Sequence, residues 1–252
     1  MRTICVINQK GGVGKTTTAV NLGAGLAREG RKVLLMDLDP QGNVSTSLDC
    51  FPKKDMFDLL FNNASIDECI VNMGKNFDII PSKETLTKAD ALLQNIEHKH
   101  FVLKNKMKPA IEKYDYIIVD CPPSLNLLNQ NAILFSEEAF IPVATDFLSY
   151  DALNKMIEAI NDINMYYDHM CDVTKIIPTM FDKRNKLAKD VLSKINSDHY
   201  GLVAEPIRVC SKIRESPKYK KSVFSHAKSS RGAKDYSTLV RHVIYEEKKV
   251  ET

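Results

Sequence analysis

Thr3-Ile4-Cys5-Val6-Ile7-Asn8-Gln9-Lys10-Gly11-Gly12-Val13-Gly14-Lys15-Thr16-Thr17-Thr18 joins a short apolar run to a glycine-rich turn and then to the first residues of a helical period. The apolar run reads as a strand and Lys15–Arg28 as a helix. The glycines between them let the backbone fold tightly enough for successive N–H groups to converge on one point. A nest of this kind at a helix N-terminus, where partial positive charge collects, suits phosphate oxygens. Gly11, Gly12, Val13, Gly14 and Thr17 are the expected phosphate contacts. Lys15 can reach the β- and γ-phosphates, and the Thr16 hydroxyl can ligate Mg²⁺. Bound nucleotide is therefore expected at the exit of the first strand.

Apolar runs alternate with helix-period stretches through the rest of the chain. Strands are expected at Thr3–Asn8, Lys32–Asp37, Phe77–Pro81, Tyr116–Asp120, Ala139–Val143 and Val173–Pro178. Several lack polar alternation, as strands buried on both faces of a parallel sheet do. Helices are expected at Lys15–Arg28, Thr85–Gln94, Phe101–Tyr114, Tyr150–Tyr167, Lys186–Tyr200 and Ala233–Glu247. This order predicts an α/β fold: a doubly wound, mostly parallel sheet with helices on both faces and the ligand at the carboxyl ends of the strands. With no internal repeat and no linker, residues 1–252 read as a single domain.

Composition narrows the function classes. The chain has 252 residues, 44% hydrophobic, and no run of apolar residues long enough to span a membrane. Its six scattered cysteines have no paired spacing, which predicts free thiols in a cytoplasmic protein. The net charge of +3 conceals an asymmetry: residues 175–241 carry 16 Lys/Arg against 6 Asp/Glu, a local +10. Concentrated basic charge points to a polyanionic partner, although a solvated face gives a milder version of the same skew.

Two further strand ends carry carboxylates. Val33–Asp37 runs into Asp37-Leu38-Asp39-Pro40-Gln41-Gly42-Asn43, and Tyr116–Asp120 runs into Cys121-Pro122-Pro123-Ser124. Beside a phosphate loop, Asp37, Asp39 and Asp120 can serve Mg²⁺ or an attacking water. An Asp-Pro turn or an acidic strand terminator needs no function.

The loop departs from the ordinary phosphate-loop pattern in having Gln9 where a glycine is usual and an additional lysine, Lys10. Here the sequence resembles the deviant Walker A ATPases, in particular the ParA/Soj partition proteins, and the resemblance extends over nearly the whole chain. It implies a P-loop ATPase that binds ATP and Mg²⁺ and forms a homodimer with ATP, in which Lys10 reaches the partner's phosphates. The catalytic residues it implies are Lys10, Lys15 and Asp39. Asp39 would orient the hydrolytic water, Asp37 would support it, and Thr16, Asp37 and Asp120 would form the metal site. The neighbourhood of Thr179 is implied to meet the adenine, and Glu215-Ser216-Pro217 resembles the family's E-A-P segment. The preceding run Ile207-Arg208-Val209 departs from the usual I-P-R, on the second side of the adenine pocket.

The same resemblance implies nonspecific DNA binding through Lys183, Arg184, Lys212, Arg214, Lys218 and Lys221. It further implies a ParB-like centromere-binding partner that stimulates slow hydrolysis, with the ATP-bound form on the nucleoid. The first strand begins at Thr3, so no N-terminal helix-turn-helix extension is expected. The alternative is a MinD-like ATPase positioning a membrane or protein assembly. Its mark would be an amphipathic C-terminal helix, and Tyr236, Leu239, Val240, Val243 and Ile244 do form a stripe. Glu246, Glu247 and Glu251 make that tail partly acidic, which favours packing of the stripe on the sheet and no stable membrane insertion. An iron–sulfur protein would need paired cysteines, and a tyrosine kinase of related fold a tyrosine-rich tail; the sequence has neither. His98 and His100 lack ligand spacing.

Overall fold

The computed structural model describes residues 1–250, with side chains through residue 247; Glu251 lies outside them. In chain order the first half holds β1 (Arg2–Val6), α1 (Lys15–Arg28), β2 (Val33–Asp37), α2 (Asn43–Leu48), α3 (Met56–Phe61), α4 (Ile66–Cys69), β3 (Val71–Asn72), β4 (Phe77–Ile80), α5 (Ala89–Leu93) and α6 (Val102–Met107). The second half holds β5 (Tyr116–Asp120), α7 (Leu127–Phe135), β6 (Glu138–Ala144), α8 (Phe147–Tyr167), β7 (Asp172–Thr179), α9 (Lys186–Asp198), α10 (Ser211–Glu215), α11 (Val223–His226) and α12 (Arg231–Val250). The strands form one sheet in the order β3-β4-β2-β5-β1-β6-β7, parallel except for the edge pair β3–β4. The six expected strands and the doubly wound class are as the sequence predicts.

The differences are local. The expected helix over 101–114 stops at Met107 and continues as a 3₁₀ turn, Lys108–Lys113, because Pro109 has no N–H to donate. The helix expected from Tyr150 begins at Phe147, since the Asp146 carboxylate accepts the Ser149 N–H at 2.9 Å and caps it. Edge strand β3 has two residues, too few to show a period.

Period two sends alternate residues of the central strands to opposite faces. Ile4, Val6, Val33, Leu35 and Ile118 face α1 and α12, with Leu22, Leu26, Tyr236, Val240 and Val243 packed on them. Cys5, Ile7, Leu34, Met36 and Val119 face the opposite layer, which includes Leu103, Ile133, Leu153 and Ile160. Both layers pack on β1, an interior strand between β5 and β6, so its carboxyl end is fixed where the chain turns into the glycine loop. Among the described residues no helix is long and apolar enough to cross a membrane.

Gly25 sets the distance between α1 and α12. A Cβ there would lie 2.5 Å from Val240 Cγ2 and 3.0 Å from Phe224 Cε2. Valine has little χ1 freedom with which to yield. Gly25→Ala is therefore expected to lower stability by roughly 1–2 kcal/mol, the overpacking cost exceeding the gain in helix propensity. A urea midpoint equal to or above the parent's would contradict this packing.

Candidate nucleotide site

The loop after β1 is held open by its neighbours. Gly12 (φ 74°) and Gly14 (φ 92°) take left-handed conformations that a side chain would strain. The Asn8 side chain donates to the Pro142 carbonyl at 2.8 Å and accepts the Lys10 N–H at 2.9 Å, which fastens the loop's entrance to β6. On the other side the Thr179 hydroxyl donates to the Val13 carbonyl at 2.8 Å, fastening it to the end of β7. Neither Asn8 nor the Thr179–Val13 bond was readable from the sequence, where a buried asparagine looks like any turn residue.

A cavity of about 500 Å³ lies over this cradle, bordered by Gly11, Gly12, Gly14, Lys15, Thr16, Thr17, Asp39 and Pro123. A second, of about 300 Å³, is bordered by Thr179, Met180, Ile207, Val209, Ile213 and Tyr236. Gly14, Thr17, Met180 and Pro217 border both, so the two compartments adjoin. One offers backbone donors and a lysine, the other mostly apolar walls: the shape of a phosphate chain with a planar base attached.

The carboxylates divide the work by burial. Asp37 and Asp120 stand opposite each other in the β2–β5 register, both fully buried. Asp37 Oδ1 accepts the Asp39 N–H at 2.9 Å and Oδ2 the Val44 N–H at 3.2 Å, so this side chain shapes the turn that carries Asp39. Asp39 Oδ1 accepts the Gln41 N–H at 3.0 Å, and its side chain borders the phosphate cavity. Both Asp120 oxygens are buried with no hydrogen-bond partner. Burial, then the neighbouring Asp37, push the Asp120 carboxyl well above the usual range. Burial also lowers the Lys15 ammonium, against the pull of Asp120.

An orphaned carboxylate beside a threonine hydroxyl is a hard-oxygen donor set, and a cation satisfies it. Among the described residues no three His, Cys, Asp or Glu side chains cluster to cage a metal. The set fits Mg²⁺, which takes one or two protein ligands and completes its shell with phosphate and water. Thr16 and Asp120 are the residues that could hold it. The thiol of Cys121, next to Asp120, is buried and pushed upward, which keeps it neutral.

Lys10 is not free. Its ammonium donates to Asp146 Oδ1 and Ser149 Oγ, each at 2.8 Å, at the N-terminus of α8. Asp146 carried a legible signal, an Asp three residues before a Ser at a helix start, but nothing in the sequence tied it to Lys10.

Lys183, Arg184, Lys212, Arg214, Lys218 and Lys221 are all exposed. Arg184 pairs with Asp182 at 2.8 Å and Lys212 with Glu215 at 2.7 Å. Exposed pairs of this kind are weak and give way to a stronger anion.

Comparisons with known proteins agree with this geometry. Residues 1–173 match the family model described as an AAA domain. The chain is 33% identical over 250 residues to the chromosome partitioning protein ParA of Myxococcus xanthus, covering 96% of this chain and 88% of that one. It is 34% identical to the sporulation initiation inhibitor protein Soj of Bacillus subtilis, covering 96% and 98%. Among solved structures, a putative plasmid partition protein of Borrelia burgdorferi bound to AMPPNP superposes with a TM-score of 0.84 at 26% identity, covering 98% and 99%. Cobyrinic acid a,c-diamide synthase of Mycobacterium smegmatis, with bound ADP and magnesium, gives 0.84 at 28%, covering 98% and 96%.

The orphaned Asp120 makes a pH prediction. Its pKa is raised in the folded chain, so its contribution to stability falls as pH rises from the unfolded carboxylate value of about 4. Asp120→Asn is expected to stabilise the nucleotide-free chain at pH 7 by roughly 1–3 kcal/mol, because the amide keeps the shape but removes the buried charge facing Asp37. The gain should vanish toward pH 3. Thermal melts across pH check this, and destabilisation at pH 7 would show that Asp120 has a partner.

Proposed function

The chain belongs to the ParA/Soj family of partition ATPases, and on that premise we propose that it couples ATP hydrolysis to reversible, sequence-independent binding of DNA. The observation that carries the reading is a cavity bordered by the glycine cradle and Asp39 that adjoins an apolar base compartment, with the buried Asp120 carboxylate beside Thr16 and Lys15. ATP would place its phosphates on residues 11–17 and its adenine between Thr179 and the 207–213 segment. Bound Mg²⁺ would neutralise phosphate charge, held by Thr16 and Asp120. Lys15 faces the β- and γ-phosphates, and Asp39, on the turn that Asp37 fixes, orients the attacking water.

Among the described residues that border the phosphate cavity, Lys15 is the one lysine or arginine. Lys10 carries a further positive charge but spends it on Asp146 and Ser149. In a face-to-face homodimer it would leave this cis contact for the partner's phosphates, so that dimerisation and catalytic competence come together. Joined subunits would also double the basic surface, and a ParB-like partner that stimulates hydrolysis would dissolve it, releasing DNA. The ATP-bound form would then sit on the nucleoid.

The membrane-positioning alternative needs a free amphipathic helix. Tyr236, Leu239, Val240 and Val243 are instead buried against the sheet. Arg31 pairs with Glu247 at 2.7 Å, Lys175 with Glu246, and Arg2 donates to the Val243 carbonyl at 2.7 Å, all of which keep α12 down.

Sedimentation with ATP tests the lysine exchange. Lys10→Ala should bind ATP yet form no ATP-dependent dimer, whereas Asp146→Asn, which loses the ion pair, should dimerise at lower protein concentration than the parent. Normal dimers in the Lys10 variant would rule out a lysine acting across the interface.

Mobility shifts with random DNA test the basic surface. With about six phosphates neutralised, log K should fall against log salt with a slope of roughly −5. The double variant Arg184→Glu/Lys212→Glu should lose DNA while keeping ATP. Undiminished binding would place the DNA surface elsewhere.

A further inference from the structure

The second wall of the base compartment, residues 207–213, is held by contacts to β7 and α12. Residues 207–209 run alongside the end of β7. The Ile207 N–H donates to Pro178, the Phe181 N–H to Ile207 and the Val209 N–H to Phe181, at 2.8, 3.1 and 3.0 Å. Arg208 lies between these bonds with its own N–H turned the other way, donating to Asp235 Oδ2 at 3.0 Å. Its guanidinium closes on the same carboxylate: Nε donates to Oδ1 at 3.1 Å and to Oδ2 at 3.0 Å, and a second nitrogen donates to Oδ1. One buried side chain on α12 therefore receives both the backbone and the side chain of a single wall residue.

We propose that Asp235, through Arg208, is a positioning residue for the nucleotide base, holding the 207–210 wall at a fixed distance from the glycine cradle. The inference rests on the nucleotide reading above and adds to it the group that sets the base compartment's width. The index runs through α12. Tyr236 follows Asp235, borders the base compartment, and meets the Thr18 hydroxyl at 3.3 Å in the first turns of α1, the helix that begins with Lys15 and Thr16. At the next step of the wall, Ile213 packs where Gly232 has no side chain; a Cβ there would lie 2.5 Å from Ile213 Cγ1. Direct contacts thus join the wall to α12 and α12 to α1.

The competing view is that Arg208–Asp235 is an ion pair that merely helps hold α12. Exposure argues for the narrower role. The Arg208 side chain is 39% exposed and would regain water once released, which limits the loss of global stability. Residue 235 would then hold the wall through the backbone N–H of residue 208 alone, and the segment carrying Ile207 and Val209 would loosen against the base. Phosphate contacts on residues 11–17 would be untouched.

Calorimetric titration of the full chain with Mg²⁺-ATP and, separately, with Mg²⁺ and inorganic tripolyphosphate distinguishes the two. Asp235→Asn and Arg208→Met should each weaken ATP about tenfold, the scale of one charge-assisted hydrogen bond, and leave tripolyphosphate within about twofold. Asp235→Glu, which keeps a carboxylate, should recover most of the ATP affinity. Equal weakening of both probes, or unchanged ATP binding, would overturn the proposal. A parent chain that binds neither probe would contradict the nucleotide reading itself, and this inference with it.

Discussion

Two carboxylates, Asp37 and Asp120, lie side by side at the ends of adjacent central strands, both buried, and much of the site follows from how each is relieved. Asp37 is answered by the backbone, accepting two N–H groups from the loop it shapes. Asp120, beside the Thr16 hydroxyl and the Lys15 ammonium, receives no backbone N–H among the described residues. A buried carboxylate without a partner costs stability, and proteins retain such groups where a ligand completes them. The parallel sheet makes the arrangement possible. Its strands end in register, so side chains from β1, β2 and β5 converge on one edge, and α1 starts from that edge with its positive end toward the same point.

The cations are arranged with equal economy. Lys15 is drawn into the loop, its ammonium 3.3 Å from the Lys10 carbonyl, with burial working against its charge. Lys10 is retained outside the cleft by the cap of α8. A nucleotide would reverse both circumstances: Lys15 gains phosphate oxygens, and Lys10 gains a reason to leave Asp146 once a second chain presents another phosphate chain. On the reading proposed above, a site complete for binding but incomplete for hydrolysis would make nucleotide occupancy and partner encounter a single signal.

Much of this was legible before any coordinates. The six strands and the glycine turn follow from apolar runs and φ requirements, and Asp39 and Asp120 from their places after apolar strands. The base compartment was legible on one side only. Thr179 could be placed, but the wall at Ile207–Val209 depends on Asp235, some 27 residues on, and no local pattern links the two. The same holds for Lys10 and Asp146, which are 136 residues apart. The 3₁₀ turn at Lys108–Lys113 was missed for a different reason: helical period in the sequence persisted through a proline that the backbone could not accommodate as α-helix. Side-chain pairs across the sheet are products of topology, and sequence shows them only after the topology is known.

Mixed-subunit hydrolysis tests the central claim, that each site is completed by a lysine from a second chain. Chains carrying Lys10→Ala and chains carrying Asp39→Ala are each expected to be inactive alone. In a mixed dimer, the nucleotide on the Lys10 variant keeps its own Asp39 and receives Lys10 from the other chain. Equal amounts should therefore restore about a quarter of the parental rate if pairing is random and up to about half if every dimer is mixed, since one of the two sites in a mixed dimer is whole. Recovery in that range is the result predicted here. A mixture as inactive as its components would show that Lys10 serves the nucleotide of its own chain.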